Sequence, residues 1–254
     1  MAITIKSERE IELMAEAGKI LERVHNELEK ALHPGISAKD IDTLGEKIIR
    51  SYGCIPSFLN YNGYPASICV SVNQEVVHGI PDKHRIIHEG DIVSLDAGVI
   101  YKGYHSDAAR THAVGEVSEE AKKLIQVTKE CFFEGIKYAK AGNHLFDISG
   151  AIGRYAEERG YGVVRDLCGH GIGTALHEAP EIPNYEVGRK GVKLRPGMTL
   201  AIEPMINIGT YEVDWLDDDW TVVTRDGSLS AHYENTILIT EGEPRILSLT
   251  CDNE

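Results

Sequence analysis

A register of 107 residues relates the two halves of this chain and constrains its fold more than any other feature. Gly35 maps to Gly142, Asp40-Ile41 to Asp147-Ile148, Gly53 to Gly160, Gly90 to Gly197 and Asp96 to Glu203. Each match alone is weak, but in one register they place a helix-helix-strand unit twice in the chain. In both copies an acid stands in an apolar strand, in "VSLDAG" and in "LAIEPM". Two such halves facing one another predict a pseudo-two-fold α+β architecture whose acids meet at the centre. The competing reading, coincidence among glycines and isoleucines, leaves those acids unrelated in space.

Local signals fill in the units. Ser7 with Glu10 forms a capping box, and Ile11, Met14, Gly18, Leu21 and Leu28 follow at helical spacing until His33-Pro34-Gly35 stops the run. A second helix opens at Ser37, with Asp40 three residues on, carries Ile41, Leu44 and Ile48, and ends at Gly53. Strands are expected at 67–72, 91–100 and 103–114. The second half repeats the order, with helices at 118–141 and about 145–160, then strands at 199–208, 220–225 and 230–239. No linker or charge block divides the 254 residues, so one domain over 1–254 is expected, with internal halves of about 1–115 and 116–254.

Charge excludes several partners. Forty acidic against 26 basic side chains give a formal charge of -14, which repels nucleic-acid phosphates and anionic lipid. Residues 51–74 carry no charged side chain and are long enough to span a bilayer, but Pro56, Pro65, Gly53, Gly63, Asn60, Asn62 and Asn73 would leave polar groups unpaired in lipid. The stretch reads instead as the wall of a pocket, or as a buried loop and strand. The five cysteines are odd in number, form no CxxC pair and follow no signal peptide, which fits a reducing cytoplasm.

The acids and histidines carry the chemistry. In "DIVSLDAGVIYKGYHSDAART", a hairpin turning at Tyr101-Lys102 sets Asp96 and Asp107 directly opposite each other, and one turning at Lys102-Gly103 makes them diagonal neighbours. Opposed carboxylates repel unless a cation lies between them. The alternative is that one aspartate points to solvent. Glu203 follows the core-like run Leu200-Ala201-Ile202, where an isolated buried carboxylate is expensive. Alternation in "SLSAHYENTILIT" puts His232, Glu234 and Thr236 on one face, although Glu234 taken by itself reads first as an ordinary exposed edge-strand glutamate. "GHGIG" around His170 matches neither phosphate-binding glycine pattern, while its glycines let the backbone approach a crowded centre. Four carboxylates and one imidazole nearly neutralise two divalent cations, and such a set suits manganese, iron, cobalt or zinc without choosing among them. Cysteine catalysis by Cys168 beside His170 is the other chemical reading, without an acyl-enzyme motif to support it.

Five segments, "VNQEVVHGIPD" (72–82), "SLDAGVIYKGYHSDAART" (94–111), "GHGIGTALHEAP" (169–180), "IEPM" (202–205) and "DGSLSAHYENT" (226–236), together resemble the type I methionine aminopeptidases. The resemblance covers essentially the whole chain. It implies the pita-bread α+β fold of two pseudo-symmetric halves around a dinuclear metal centre, with Asp96, Asp107, His170, Glu203 and Glu234 as ligands. It implies that His78 and His177 are unligated catalytic histidines and that Glu203 relays the proton. Tyr61, Tyr64, Cys69 and Trp220 would form the methionine pocket. Phe58, Asn62, Leu176 and Asn235 depart from the family pattern, Phe58 and Leu176 where they would shape that pocket. The implied reaction is attack of a metal-bridged hydroxide on the first peptide bond of nascent polypeptides with a small second residue. The resemblance further implies a cytoplasmic monomer acting near the ribosome on nascent N-termini. X-Pro aminopeptidases and prolidases share the five ligands and are the nearest alternative. A non-catalytic pita-bread peptide-binding protein is the alternative of another class.

Overall fold

The computed structural model describes residues 3–249. Cys251 lies outside the described residues, and the cysteines within them, Cys54, Cys69, Cys131 and Cys168, are free thiols. Among the described residues, no helix is long and apolar enough to cross a membrane.

Four helices form where the sequence signals stand: α1 (Glu8–Ala31), α2 (Ala38–Ser51), α3 (Glu119–Ile136) and α4 (Leu145–Glu157). The Ser7 amide donates to the Glu10 carboxylate at 2.7 Å, and the Asp40 amide donates to Ser37 Oγ at 3.1 Å, so orphan N–H groups at both helix starts are satisfied. The expected helix 118–141 stops short at Ile136. Beyond it, Tyr138 and Ala139 donate to Gly135 and Ile136 three residues back, a tighter winding that buries Ala139 and precedes the turn at Gly142.

The 107-residue register is physical. Gly35 and Gly142 have φ of 95° and 94°, a region open to glycine, and both start the return of the chain into the second helix of their half. The Gly35 amide donates to Ile87 O at 2.8 Å and the Gly142 amide to Leu194 O at 3.1 Å. Ala38 donates to Arg85 O and Leu145 to Val192 O, and the isolated bridges Ser37–Ile86 and His144–Lys193 match in the same register. Coincidence of residue types does not reproduce hydrogen-bond partners.

Each half has its own core. Leu21, Val24, Leu28, Ile41 and Ile49 of α1 and α2 pack on Ile68, Val70, Leu95 and Val99. Leu124, Phe132, Ile148 and Ile152 of α3 and α4 pack on Ile202, Ile206, Ala231 and Ile237. The first half's sheet centres on strand Ile92–Tyr101, flanked by Ile68–Val72 and by its hairpin partner Tyr104–Ala113. The second half contributes Gly169–Gly171, Thr199–Ile202 and Asn235–Leu238, paired in sequence as neighbours. The halves meet where Ala109 and Glu234 exchange backbone hydrogen bonds and where Thr236 Oγ1 donates to Asp107 O and accepts from Asp107 N, both at 2.9 Å.

The strands expected at 199–208 and 230–239 are both interrupted. Ile202–Asn235 and Met205–His232 are pairs of one antiparallel register, so the break sets Glu203 opposite Glu234 and Pro204 opposite Tyr233. Pro204 has no N–H to give to the ladder, which explains the gap. Both acids stand in it.

Candidate active site and metal centre

The hairpin turns at Lys102-Gly103, with Tyr101 opposite Tyr104 and both turn residues at positive φ, the geometry favoured by strand twist. Asp96 therefore faces Ala109 and Asp107 faces Gly98, making the two aspartates diagonal neighbours on one face, not directly opposed. Cys69 pairs with Asp96 on the other side.

His170 is brought against this pair by closely packed backbone. A Cβ on Gly171 would lie 2.1 Å from Ala179 O and one on Gly169 would lie 2.4 Å from Ala201 O, so no side chain fits at either position. The His170 Nδ1–H donates to Gly171 O at 2.9 Å, because a carbonyl only accepts. That leaves the Nε2 lone pair free. Nε2 lies 3.9 Å from Asp107 Oδ2 and 3.7 Å from Glu203 Oε1. Ligand atoms of Asp107, His170 and Glu234 all lie within 4.8 Å of one another.

The electrostatics of this cluster are unfavourable without a cation. Asp96, Asp107 and Glu234 are buried, and Glu203 is nearly so. Burial lifts the Asp96 carboxyl to about 7 and that of Glu203 to about 8, and drives Asp107 and Glu234 well above the usual carboxylate range, where the neighbouring acids add to the rise. Asp96 Oδ1, Asp107 Oδ1 and Glu234 Oε1 are buried with no hydrogen-bond partner among the described residues. Among the described residues, no lysine or arginine pairs with the four carboxylates. Unpaired oxygens converging with a free imidazole lone pair fit a divalent metal in donor type and charge.

Beside the cluster opens a cavity of about 130 Å³ that every predicted site residue lines. Phe58, Tyr64, Cys69 and Leu176 are buried in its wall, and Tyr61, Asn62 and Trp220 reach it from more exposed positions. Tyr64 stacks edge-on against Trp220 at 5.1 Å and donates its hydroxyl to Gly79 O at 3.0 Å. The uncharged stretch 51–74 supplies five of these residues, so the pocket-wall reading holds and the loop and strand are that wall. His78 sits at a φ of 59°, next to Gly79, whose Cβ would collide with Val70 O at 2.3 Å. Burial lowers the His78 pKa to about 4, so its imidazole is neutral at neutral pH. His177 stands at the mouth, its ring edge-on to His170 at 4.2 Å, with its Nδ1 2.8 Å from the Tyr61 hydroxyl. Cys168 is half-buried with its thiol pKa raised by burial and then by Glu203 and Glu181, which makes it a poor nucleophile.

Two buried histidines at the site have no role in the sequence reading. His105 Nδ1 lies 3.0 Å from Ser57 Oγ. His232, placed on the Glu234 face by alternation alone, has its Nε2 3.6 Å from Glu203 Oε2. Its neighbour comes from another strand, and no spacing along the chain signals that meeting.

The model of metallopeptidase family M24 matches residues 12–241. A curated methionine aminopeptidase from Clostridium acetobutylicum is 58% identical over 247 residues, covering 97% of this chain and 99% of the relative. The crystal structure of a methionine aminopeptidase from Thermotoga maritima superposes with a TM-score of 0.96 at 47% identity, covering 98% of this chain and all of that one. An Xaa-Pro dipeptidase from Bacillus anthracis aligns less closely, with a TM-score of 0.77 at 27% identity, covering 97% of this chain and 62% of that one. The fold is therefore the α+β pita-bread fold shared by both groups, and the chain belongs to metallopeptidase family M24.

Proposed function

We propose that this chain removes the N-terminal methionine from polypeptides whose second residue is small, as a single catalytic domain over 1–254 with halves of about 1–115 and 116–254. The observation that carries the reading is the meeting, in one small cavity, of a buried acid-imidazole cluster with an uncharged, largely aromatic wall. Asp96, Asp107, His170, Glu203 and Glu234 would hold two divalent ions, of manganese, iron, cobalt or zinc. Such ions, when bound, acidify water and polarise the scissile carbonyl.

The chain's own groups do the rest. Glu203, whose carboxylate lies 3.7 Å from His170 Nε2 among the converging acids, is suited to accept a proton and pass it to the leaving amine. When the Tyr61 hydroxyl donates to His177 Nδ1, the imidazole proton sits on Nε2 and can be donated to the developing oxyanion. Neutral His78 is placed to hydrogen-bond the scissile amide nitrogen. Tyr61, Tyr64, Cys69 and Trp220 offer an apolar, polarisable slot to the methionine side chain, with Phe58 narrowing it. The surrounding carboxylates favour a free α-amino group. The substrates would be nascent chains near the ribosome, met in the cytoplasm by a monomer.

A Met-X-Ser peptide panel compared by kcat/KM tests this. Gly, Ala and Ser at the second position should exceed Leu, Lys and Glu by on the order of 10²-fold. Leu176 should extend tolerance to Val and Thr. Equal cleavage of Met-Leu and Met-Ala, or preference for Xaa-Pro peptides lacking methionine, would replace this reading with the prolidase-like one.

A further inference from the structure

The Glu203 carboxylate is flanked by an imidazole at each oxygen: His170 Nε2 lies 3.7 Å from Oε1 and His232 Nε2 lies 3.6 Å from Oε2. The two rings differ in one respect. His170 is anchored through Nδ1 to Gly171 O, whereas neither ring nitrogen of His232 has a hydrogen-bond partner among the described residues, although the residue is only 1% exposed. An apolar side chain would fill that position without burying two unmatched polar atoms. The backbone below the ring is clamped. His232 N–H donates to Thr111 Oγ1 and Thr111 Oγ1 donates to His232 O, both at 2.9 Å, and Met205 pairs across the strand. The ring is therefore held beside Glu203 Oε2, the carboxylate oxygen 3.6 Å from its Nε2.

We propose that His232 is a positioning residue: its Nε2–H donates to Glu203 Oε2 and fixes the carboxylate so that Oε1, beside His170, is the oxygen left for metal and proton exchange. The proposal rests on the assignment of Glu203 to the metal centre and the proton relay. It accounts for an imidazole at a position where packing alone favours an apolar residue. A donor at the ε position of a side chain of similar reach should replace it, so glutamine is the conservative variant. Methionine has the same reach without the donor. Alanine is unsuitable, because His232 also lines a second cavity, of about 400 Å³, together with Arg110 and Tyr233, and truncation would enlarge that space.

The test compares His232→Gln, His232→Met and His232→Asn as full chains. Each is measured for Co²⁺ affinity, for the visible spectrum of the Co²⁺-loaded protein, and for kcat and KM on Met-Ala-Ser. His232→Met should weaken Co²⁺ binding and lower kcat by about tenfold or more, the usual effect of losing an outer-shell partner, with little change in KM. His232→Gln should stay close to the wild type in all readouts. His232→Asn, whose amide is one methylene too short, should behave as the methionine variant and keeps the test open if that variant does not fold. The proposal is overturned if His232→Met or His232→Asn matches the wild type, or if His232→Gln is as impaired as His232→Met. Absence of methionine release by the wild type would instead strike the functional reading, and the Co²⁺ affinities would still rank the three variants.

Discussion

Asp107→Asn is expected to weaken divalent-metal binding by on the order of 10²-fold or more and to abolish peptidase activity with it. Loss of an outer-shell partner already costs metal sites 10- to 100-fold, and Asp107 is one of the three side chains whose ligand atoms converge within 4.8 Å. Asparagine keeps the shape and the backbone bonds to Thr236 while removing one negative charge. A second readout comes from the metal-free protein. Burial holds protons on the folded cluster, Asp96 to about 7 and Glu203 to about 8, that the unfolded chain releases near its ordinary carboxylate pKa of about 4. A raised folded pKa means that stability is lost as pH climbs between those values. Metal-free wild type should therefore melt lower at pH 8 than at pH 5, and Asp107→Asn should melt above it at pH 8. Wild-type metal affinity in the variant, measured by calorimetric titration, would contradict the assignment of Asp107.

His177→Ala should behave in the opposite way, leaving metal stoichiometry intact while lowering kcat by on the order of 10² or more, the usual effect of deleting a donor to a transition-state oxyanion. Its ring touches the His170 ring but stands at the cavity mouth, held by Tyr61, outside the converging ligand atoms. Tyr61→Phe should produce a smaller loss in the same direction, because the hydroxyl acts only by setting the His177 tautomer. Metal analysis and steady-state kinetics on the same preparations separate the roles. Loss of metal in His177→Ala would make His177 a ligand, and unchanged kcat would remove it from the reaction.

What the sequence discloses and what it hides follow from the range of the interactions involved. Helix starts are legible because Ser7 with Glu10 and Ser37 with Asp40 are contacts within one turn of chain. The 107-residue register is legible because glycines such as Gly35 and Gly142 answer to a local φ. The Asp96 and Asp107 geometry is half legible: spacing allows two hairpin turns, and only the positive φ at both Lys102 and Gly103 selects the one that makes the acids diagonal. The interruption that sets Glu203 against Glu234 is less visible, since Pro204 announces the end of a strand but not that the register resumes beyond it. The meeting of His232 with Glu203 is hidden, because it joins two strands whose register no spacing along the chain announces, even though each side chain stands out locally.

The most direct test of the account is methionine release from Met-Ala-Ser by protein chelated exhaustively and then given Mn²⁺, Fe²⁺, Co²⁺ or Zn²⁺ singly. The account predicts no turnover without metal and recovery with at least one of the four, whereas undiminished release in metal-free buffer would contradict the metal centre and return Cys168 to consideration as the nucleophile.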